Sequence, residues 1–435
     1  MLWHMTTRAR TTGAAILIAT TLPAARAAAQ TLAAGVDAAP PGHVQFSFAA
    51  RAGVCGDGRT YIQTAPGNFT GSINTSIGER FIAETCEPGP VRVLLDRADR
   101  QIIAIKTYVG PPTTFPATTD LGSVAPQQAA DYLLDLAVRS EGRIGRDAIF
   151  PATLADGAVI LDGLVAIARN QALPRETRRS ALSHVGRSSE QLQTIPTRIV
   201  ETLVFVARDE TDNLQVRKQS LAVLGRLEHG AGIPQLIQLS RQNSSVWLSR
   251  EATSVLARSG DPRARGHLRT VVEQEGLNDE ALAIAIRALG QHYATPQDAA
   301  LLRSVYPRLR SDKSRDAVLA AVADVGGSEN VKWLTQVAKD ESETTARRRK
   351  ALENASRAGA PIAELVSLYD SVSNQQMKDA LVNLYGRSGE PAAIDKLISI
   401  ARDETNVSVR RRAISRLSRS DDPRVKEALK ELITR

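Results

Sequence analysis

From Pro126 onward the apolar residues fall at helical spacing, in stretches that copy one another. Leu203 to Thr211 (LVFVARDET) and Leu397 to Thr405 (LISIARDET) are near-duplicates, and each is followed within a few residues by a Val-Arg step, at Val216-Arg217 and Val409-Arg410. Shorter copies of the first stretch run from Leu164 to Arg169, Leu236 to Arg241 and Leu334 to Asp340. Aligning the second stretch on the apolar residue before its Gly-Arg-like ending gives Val185, Leu224, Leu256, Leu289, Val322, Ala355, Tyr385 and Leu417. These marker residues are spaced by 39, 32, 33, 33, 33, 30 and 32, and Leu154 extends the series one step of 31 earlier. Unrelated helices have no reason to keep a period near 32, so the pattern predicts a stacked repeat array. The step of 39 predicts an insertion near Leu192 to Ile195.

About six residues after each marker comes a helix-start signal: Asp261-Pro262, Thr295-Pro296, Pro361, Glu390-Pro391 and Asp422-Pro423. Proline at the first helical position has no amide hydrogen to leave unpaired, and a preceding Asp or Thr caps the exposed amides. Each unit therefore reads as two antiparallel helices, the first running from the proline signal and the second ending at the marker. The expected fold is mainly α, with about eight to nine helix pairs over residues 126–435.

Upstream the period changes. Val44-Gln45-Phe46-Ser47-Phe48 alternates with period two, as a half-buried strand does. Pro90 to Val109 reads as a hairpin, with Val91, Val93 and Leu95 on one arm, Asp96 to Arg100 as the turn, and Ile103, Ile105 and Val109 on the other. A small β-rich domain is thus expected over residues 43–110, behind a leader at 30–42, with the Pro- and Thr-rich residues 111–125 as an extended linker.

Residues 1–29 have the parts of a secretory signal: Arg8 and Arg10, an apolar core from Gly13 to Leu22, and small residues from Ala25 to Ala29. That core is about half of the ~20 apolar residues a bilayer span needs, and no later run approaches it, so no membrane anchor is expected after cleavage. The expected location is extracytoplasmic, in a periplasm or secreted. The chain has two cysteines, Cys55 and Cys86. In an exported domain such a pair most simply forms one disulfide; a reactive thiol is the competing reading, and zinc would want short-spaced ligand pairs that are missing here.

Composition then narrows the work. At 4% aromatic the chain has few rings for a sugar-stacking cleft. Its formal charge of +8 falls to +5 without Arg8, Arg10 and Arg26, and the excess is spread thinly over residues 126–435. That dilution, with export, argues against nucleic acid as a partner and leaves a protein or an anionic polymer.

The paired helices, the turn aspartates Asp209 and Asp403, and the second-helix arginines Arg217 and Arg410 resemble HEAT repeats, including the PBS-lyase-like subtype, over residues 126–435. The resemblance implies an α-solenoid whose second helices line a concave face, with Asp and Arg laddered between neighbouring repeats, and a closing helix over Asp422 to Arg435. Two units depart from it: Glu280-Ala281-Leu282 carries no Arg, and Gln242-Asn243-Ser244 replaces the acidic turn.

No GxSxG, HExxH, GxxxxGK or EF-hand pattern occurs, and no two histidines lie at ligand spacing. Gly53 to Gly58 reads as a turn beside the disulfide, and His184, next to a marker, as a packing residue. No catalytic residue, metal or cofactor is assigned. The basic runs opening the second helices (Arg178-Arg179, Arg217-Lys218, Arg347 to Lys350, Arg410 to Arg412) read as ladder and solvated face, interleaved as they are with Glu176, Glu251, Asp316, Glu353 and Asp379. The sharper reading is a basic stripe in which Lys218, Arg250, Arg348 and Arg411 meet a partner, with Trp247 and Trp333 as candidate anchors. The expected function is a non-enzymatic, exported interaction scaffold. A lyase-like activity rests on fold analogy alone, and a HEAT-type DNA-repair glycosylase conflicts with export.

Overall fold

A computed structural model describes residues 32–65, 68–71, 86–112, 115, 118–190, 192–242, 244–274, 277–291 and 293–434. The signal segment 1–29 lies outside the described residues. The chain divides into two compact units, one of residues 1–194 with Asp209–Gln219, the other of Ile195–Arg208 with Ser220–Arg435.

The first unit opens with a short helix α1 (residues 32–38) and a four-stranded sheet in the order β6-β5-β1-β7. Strands β1 (Gly42–Phe48) and β5 (Val91–Ala98) are antiparallel, and the period-two residues pair across them: Val44 with Leu95, Phe46 with Val93, Phe48 with Val91, all solvent-free. Strand β6 (Gln101–Val109) completes the hairpin through a turn tighter than expected, with Asp99 in the left-handed region at φ 52°. A second sheet joins β2 (Cys55–Gly56), β3 (Tyr61–Ala65) and β4 (Asn68–Gly71). Cys55 and Cys86 are disulfide-bonded with Cα atoms 5.2 Å apart, beside the bridge from Gly56 to Glu87.

One sequence expectation changes here. The stretch 111–125, expected as an extended linker, contains β7 (Thr118–Ser123), which pairs parallel to β1, so residues 118–123 belong to the sheet. The described leader residues, from Leu32 on, are held in place: Leu32, Val36 and Ala39 are buried, and the Arg97 guanidinium donates to the carbonyls of Asp37 and Ala39. The sheet also shares its core with the first helix pair, α2 (Pro126–Arg139) and α3 (Gly142–Ala152). Tyr132 of α2 meets Phe46 edge-on at 5.9 Å, and the Arg51 amide donates to the Leu154 carbonyl. The second pair of this unit is α4 (Leu161–Arg169) and α5 (Arg175–Ser189).

Helix pairs follow at the expected period. First come α6 (Thr197–Arg208) and α7 (Leu214–Leu224); the packed pairs of the second unit are α8 (Ile233–Ser240) with α9 (Val246–Arg258), α10 (Pro262–Gln274) with α11 (Asp279–Gly290), and α12 (Pro296–Val305) with α13 (Asp312–Val325). Then come α14 (Ser328–Lys339) with α15 (Thr345–Arg357), α16 (Ile362–Asp370) with α17 (Gln375–Ser388), α18 (Pro391–Asp403) with α19 (Val407–Leu417), and a closing α20 (Pro423–Thr434). The proline signals do start helices; at α12 Thr295 and Asp298 form a reciprocal capping box. Within the second unit each second helix from α9 to α19 packs on the next, and from α10 onward the repeats share one continuous core. The fold is a mainly α, HEAT-like solenoid behind a small disulfide-bearing β-rich region.

All eight markers, and Leu154, are 2% exposed or less. Several are followed by glycine, and the structure gives the reason: a Cβ on Gly225 would lie 2.3 Å from Val255, and one on Gly290 would lie 2.5 Å from Ala321. Val255 and Ala321 each precede the marker of the next repeat, so the glycine marks where consecutive second helices approach most closely.

Candidate interaction surface

The residue seven before each marker faces its own repeat. Arg178 donates from Nε to the Ala168 carbonyl at 2.9 Å, and Arg348 does the same to Ala338 at 3.0 Å. These carbonyls lie in the last turn of the first helix, where the helix leaves acceptors unpaired. Arg348 is buried by this bond, so it is not part of an exposed stripe; the outward-facing residue of that repeat is Arg349, which has no ion pair among the described residues. A shift of one residue turns a helical side chain by about 100°, enough to move it from solvent to interior.

The same position also builds the ladder. Arg178 holds Asp212 through two nitrogens at 2.5 Å each, both side chains 3% exposed. Farther along, Arg315 pairs with Glu343 of the next repeat at 3.3 Å and Lys378 with Glu404 at 2.9 Å; Arg347, one residue before this position, joins Glu343 at 2.5 Å within its own repeat. Each of these two glutamates also accepts from a tyrosine of the preceding repeat, Tyr306 at 2.9 Å and Tyr369 at 2.5 Å. Tyr306 and Tyr369 both stand sixteen residues before their markers, so Tyr, cation and Glu form a recurring rung between repeats. Burial pushes both tyrosine hydroxyls well above their ordinary range, and the glutamates they bind add to it. Against its own desolvation, the bonds from Tyr369, the Asn406 amide and Lys378 hold the Glu404 carboxyl down to about 2.

The expected ladder residues are displaced by a few positions. Asp209 is half-buried, accepts from Gln171 at 2.6 Å and is favoured as a carboxylate by the bonds from Thr211 and the charge of Arg217, while Asp212 makes the buried rung; Glu404 takes that role in place of Asp403. In the two departing repeats the cation is replaced by Ser249, which donates to the Ser240 carbonyl at 2.5 Å, and by buried Leu282.

One position on, the residues six before the markers in the second unit are Arg250, Ala283, Asp316, Arg349, Asp379 and Arg411. Their charges are mostly spent on neighbours. Glu280 bridges Arg250 and Lys313 at 3.4 Å each, Arg412 pairs with Asp379 at 2.9 Å, and Lys350 with Asp316. Arg411 is exposed and, with Arg349, makes no ion pair among the described residues; in the first unit the same holds for half-buried Lys218. Alternation in sign breaks the expected basic stripe into separate points. Trp247 and Trp333 are half-buried, and Trp333 meets Tyr306 edge-on at 5.2 Å.

Two buried histidines invite a catalytic reading and do not support it. Burial, with Arg187 nearby, pushes His184 down to about 4, and its ring lies against Phe150. His267 contacts Ser240 Oγ through Nε2 at 2.8 Å and the Arg241 guanidinium through Nδ1 at 3.4 Å. A guanidinium only donates, so Nδ1 must accept and Nε2 must carry the proton. Ser240 then receives that proton's hydrogen bond and gives its own to the Ile237 carbonyl at 2.8 Å, leaving it inactivated as a nucleophile. Among the described residues no His, Cys, Asp and Glu group converges as a metal site, and no helix is long and apolar enough to cross a membrane.

Residues 362–435 match the family model described as HEAT repeats, so the C-terminal part of the array is built of HEAT repeats. No curated protein matches the chain. Among solved structures, human deoxyhypusine hydroxylase in complex with glycerol is similar at 19% identity over 55% of this chain and 95% of that one, with a TM-score of 0.26. A structure from the computational design of self-assembling cyclic homo-oligomers is similar at 14% identity over 71% of this chain and 96% of that one, with a TM-score of 0.12. Neither likeness bears on function.

Proposed function

We propose that this protein is an exported, non-enzymatic scaffold that docks an acidic protein or an anionic surface polymer on its second helices. The observation that carries the reading is the HEAT-repeat array itself. Its ionic groups are largely consumed in holding repeats together, while Lys218, Arg250, Arg349 and Arg411 share one sequence offset, six residues before their markers, with Ala283, Asp316 and Asp379 at that offset in the intervening repeats. Arg250 is only loosely held, at 3.4 Å from Glu280 and 3.7 Å from Glu251. The disulfide is compatible with an oxidising compartment. On this reading residues 1–29 are a cleaved signal, the leader and residues 43–110 with their edge strand dock on the first helices, and the repeats from 126 onward make the binding array.

Rim charges act chiefly on association rate and are screened by salt. Reversing Lys218→Glu and Arg349→Glu should slow capture of a native partner at low salt while circular dichroism stays unchanged. Equal capture rates would remove the second-helix surface from the proposal, and a chain recovered with residues 1–29 intact from the cytoplasm would remove export.

A further inference from the structure

A second row of arginines lies at the C-terminal ends of the second helices, two residues past the marker: in the second unit Arg226, Arg258, Arg357, Arg387 and Arg419, interrupted by Gln291 and Asp324. Unlike the charges farther up the same helices, most of this row is uncommitted. Arg226, Arg258, Arg387 and Arg419 are exposed and make no ion pair among the described residues; Arg357 pairs with Asp324 at 3.1 Å. Favourable interaction with the helix dipole accounts for one basic residue per helix end. It does not account for what lies between them. Two open grooves occur in this unit at the same place in the repeat, each flanked by the arginines of consecutive repeats. One of about 380 Å³ lies between Arg226 and Arg258, and one of about 820 Å³ between Arg357 and Arg387.

The larger groove has an apolar wall of Pro361, Ile362, Leu365 and Leu384, with the carboxylates of Glu353 and Glu390 also on its lining. Those carboxylates would repel a uniform polyanion. They suit a chain that carries its own hydrogen-bond donors, as peptide amides do, while the arginines suit carboxylates and the wall suits apolar side chains. We infer that the groove between Arg357 and Arg387 docks an extended polypeptide segment of a partner in which acidic and apolar residues alternate. The inference rests on the scaffold reading and assigns it a second surface, at the helix ends.

The test is selection of displayed random twelve-residue peptides on the full chain, followed by fluorescence anisotropy of the enriched peptides. The expected result is enrichment of alternating Asp or Glu with apolar residues, and binding about tenfold weaker to Arg387→Glu and to Ile362→Asp. Both side chains are at the surface or half-buried, so circular dichroism should stay native. Heparin should fail to displace the peptides. Enrichment of other sequences, unchanged binding to Arg387→Glu, or full displacement by heparin would overturn the groove assignment. Loss of binding to Arg349→Glu and Arg411→Glu in its place would overturn it too, while leaving the scaffold reading intact.

Discussion

Gly290 is the position where the repeat geometry makes its least obvious demand. In a free helix Gly→Ala stabilises by about 1 kcal/mol, because alanine loses less backbone entropy and is the better helix former. Here the sign reverses. The new methyl would sit 2.5 Å from both Cα and Cβ of Ala321 and 2.6 Å from its carbonyl oxygen, where carbon contacts want about 3.5 Å. Helices α11 and α13 would have to separate by about 1 Å, and the atoms in the way are backbone, with no rotamer to yield. Overpacking of this kind costs about 1 to 3 kcal/mol, and separating the helices also loosens Leu289 and Val322, both fully buried beside the seam. Gly290→Ala should therefore lower the urea midpoint with the slope unchanged. Leu289→Ala, a cavity in the same seam, should cost about 2 to 5 kcal/mol. Ala321→Gly in the Gly290→Ala background should recover only part of the loss, since Cα and the carbonyl remain in place. If Gly290→Ala is as stable as the parent chain or more so, the close approach after the marker is wrong, and with it the register of the array.

Reducing the disulfide should release a constraint of about 3 to 4 kcal/mol for its separation of 31 residues, loosening amides around Cys55 and Glu87 first in hydrogen exchange while α9 to α19 stay protected. His184 supplies a pH dependence: held near 4 when folded against 6.5 when free, it favours the unfolded chain as pH falls. Stability should therefore drop by about 3 kcal/mol between pH 6.5 and 4, and His184→Gln should flatten that part of a pH series of urea midpoints. Glu404→Gln leaves Tyr369 a weaker acceptor and Lys378 an uncompensated charge, and should cost about 1.5 to 3 kcal/mol by denaturation at pH 7. Because the Glu404 carboxyl is held down to about 2, its contribution is present above pH 4.5 and fades as pH falls toward 2, so the variant and the parent should converge there.

What could be read in the chain follows from what repeats. The period located every marker because burial at one place per unit selects apolar residues there, and the proline signals located helix starts because a missing amide is harmless only at that place. The inward turn of Arg348 is hard to read because a run of four basic side chains carries no internal sign of which points inward; its place seven residues before Ala355, as Arg178 stands before Val185, is the signal that marks it. The Tyr-cation-Glu rung went unseen, although Tyr306 and Tyr369 share an offset from their markers, because its glutamates sit in turns of variable length. Strand β7 (TTDLGS) has neither alternation nor β-branched density, being held by pairing to β1 and not by burial of its own side chains. The docked leader did carry a signal, in Leu32 and Val36 four residues apart. The grooves at the helix ends arise only when two repeats are set side by side, so no single stretch announces them.

The scaffold claim is tested most directly by placing a photo-crosslinking residue at Lys218, Arg349, Arg411 and Arg387, and at exposed Lys332 on first helix α14, in cells expressing the full chain. The account predicts one shared crosslinked partner from second-helix positions and none from Lys332. Crosslinking that is equal at Lys332, or absent from every second-helix site in a folded and exported protein, would contradict it.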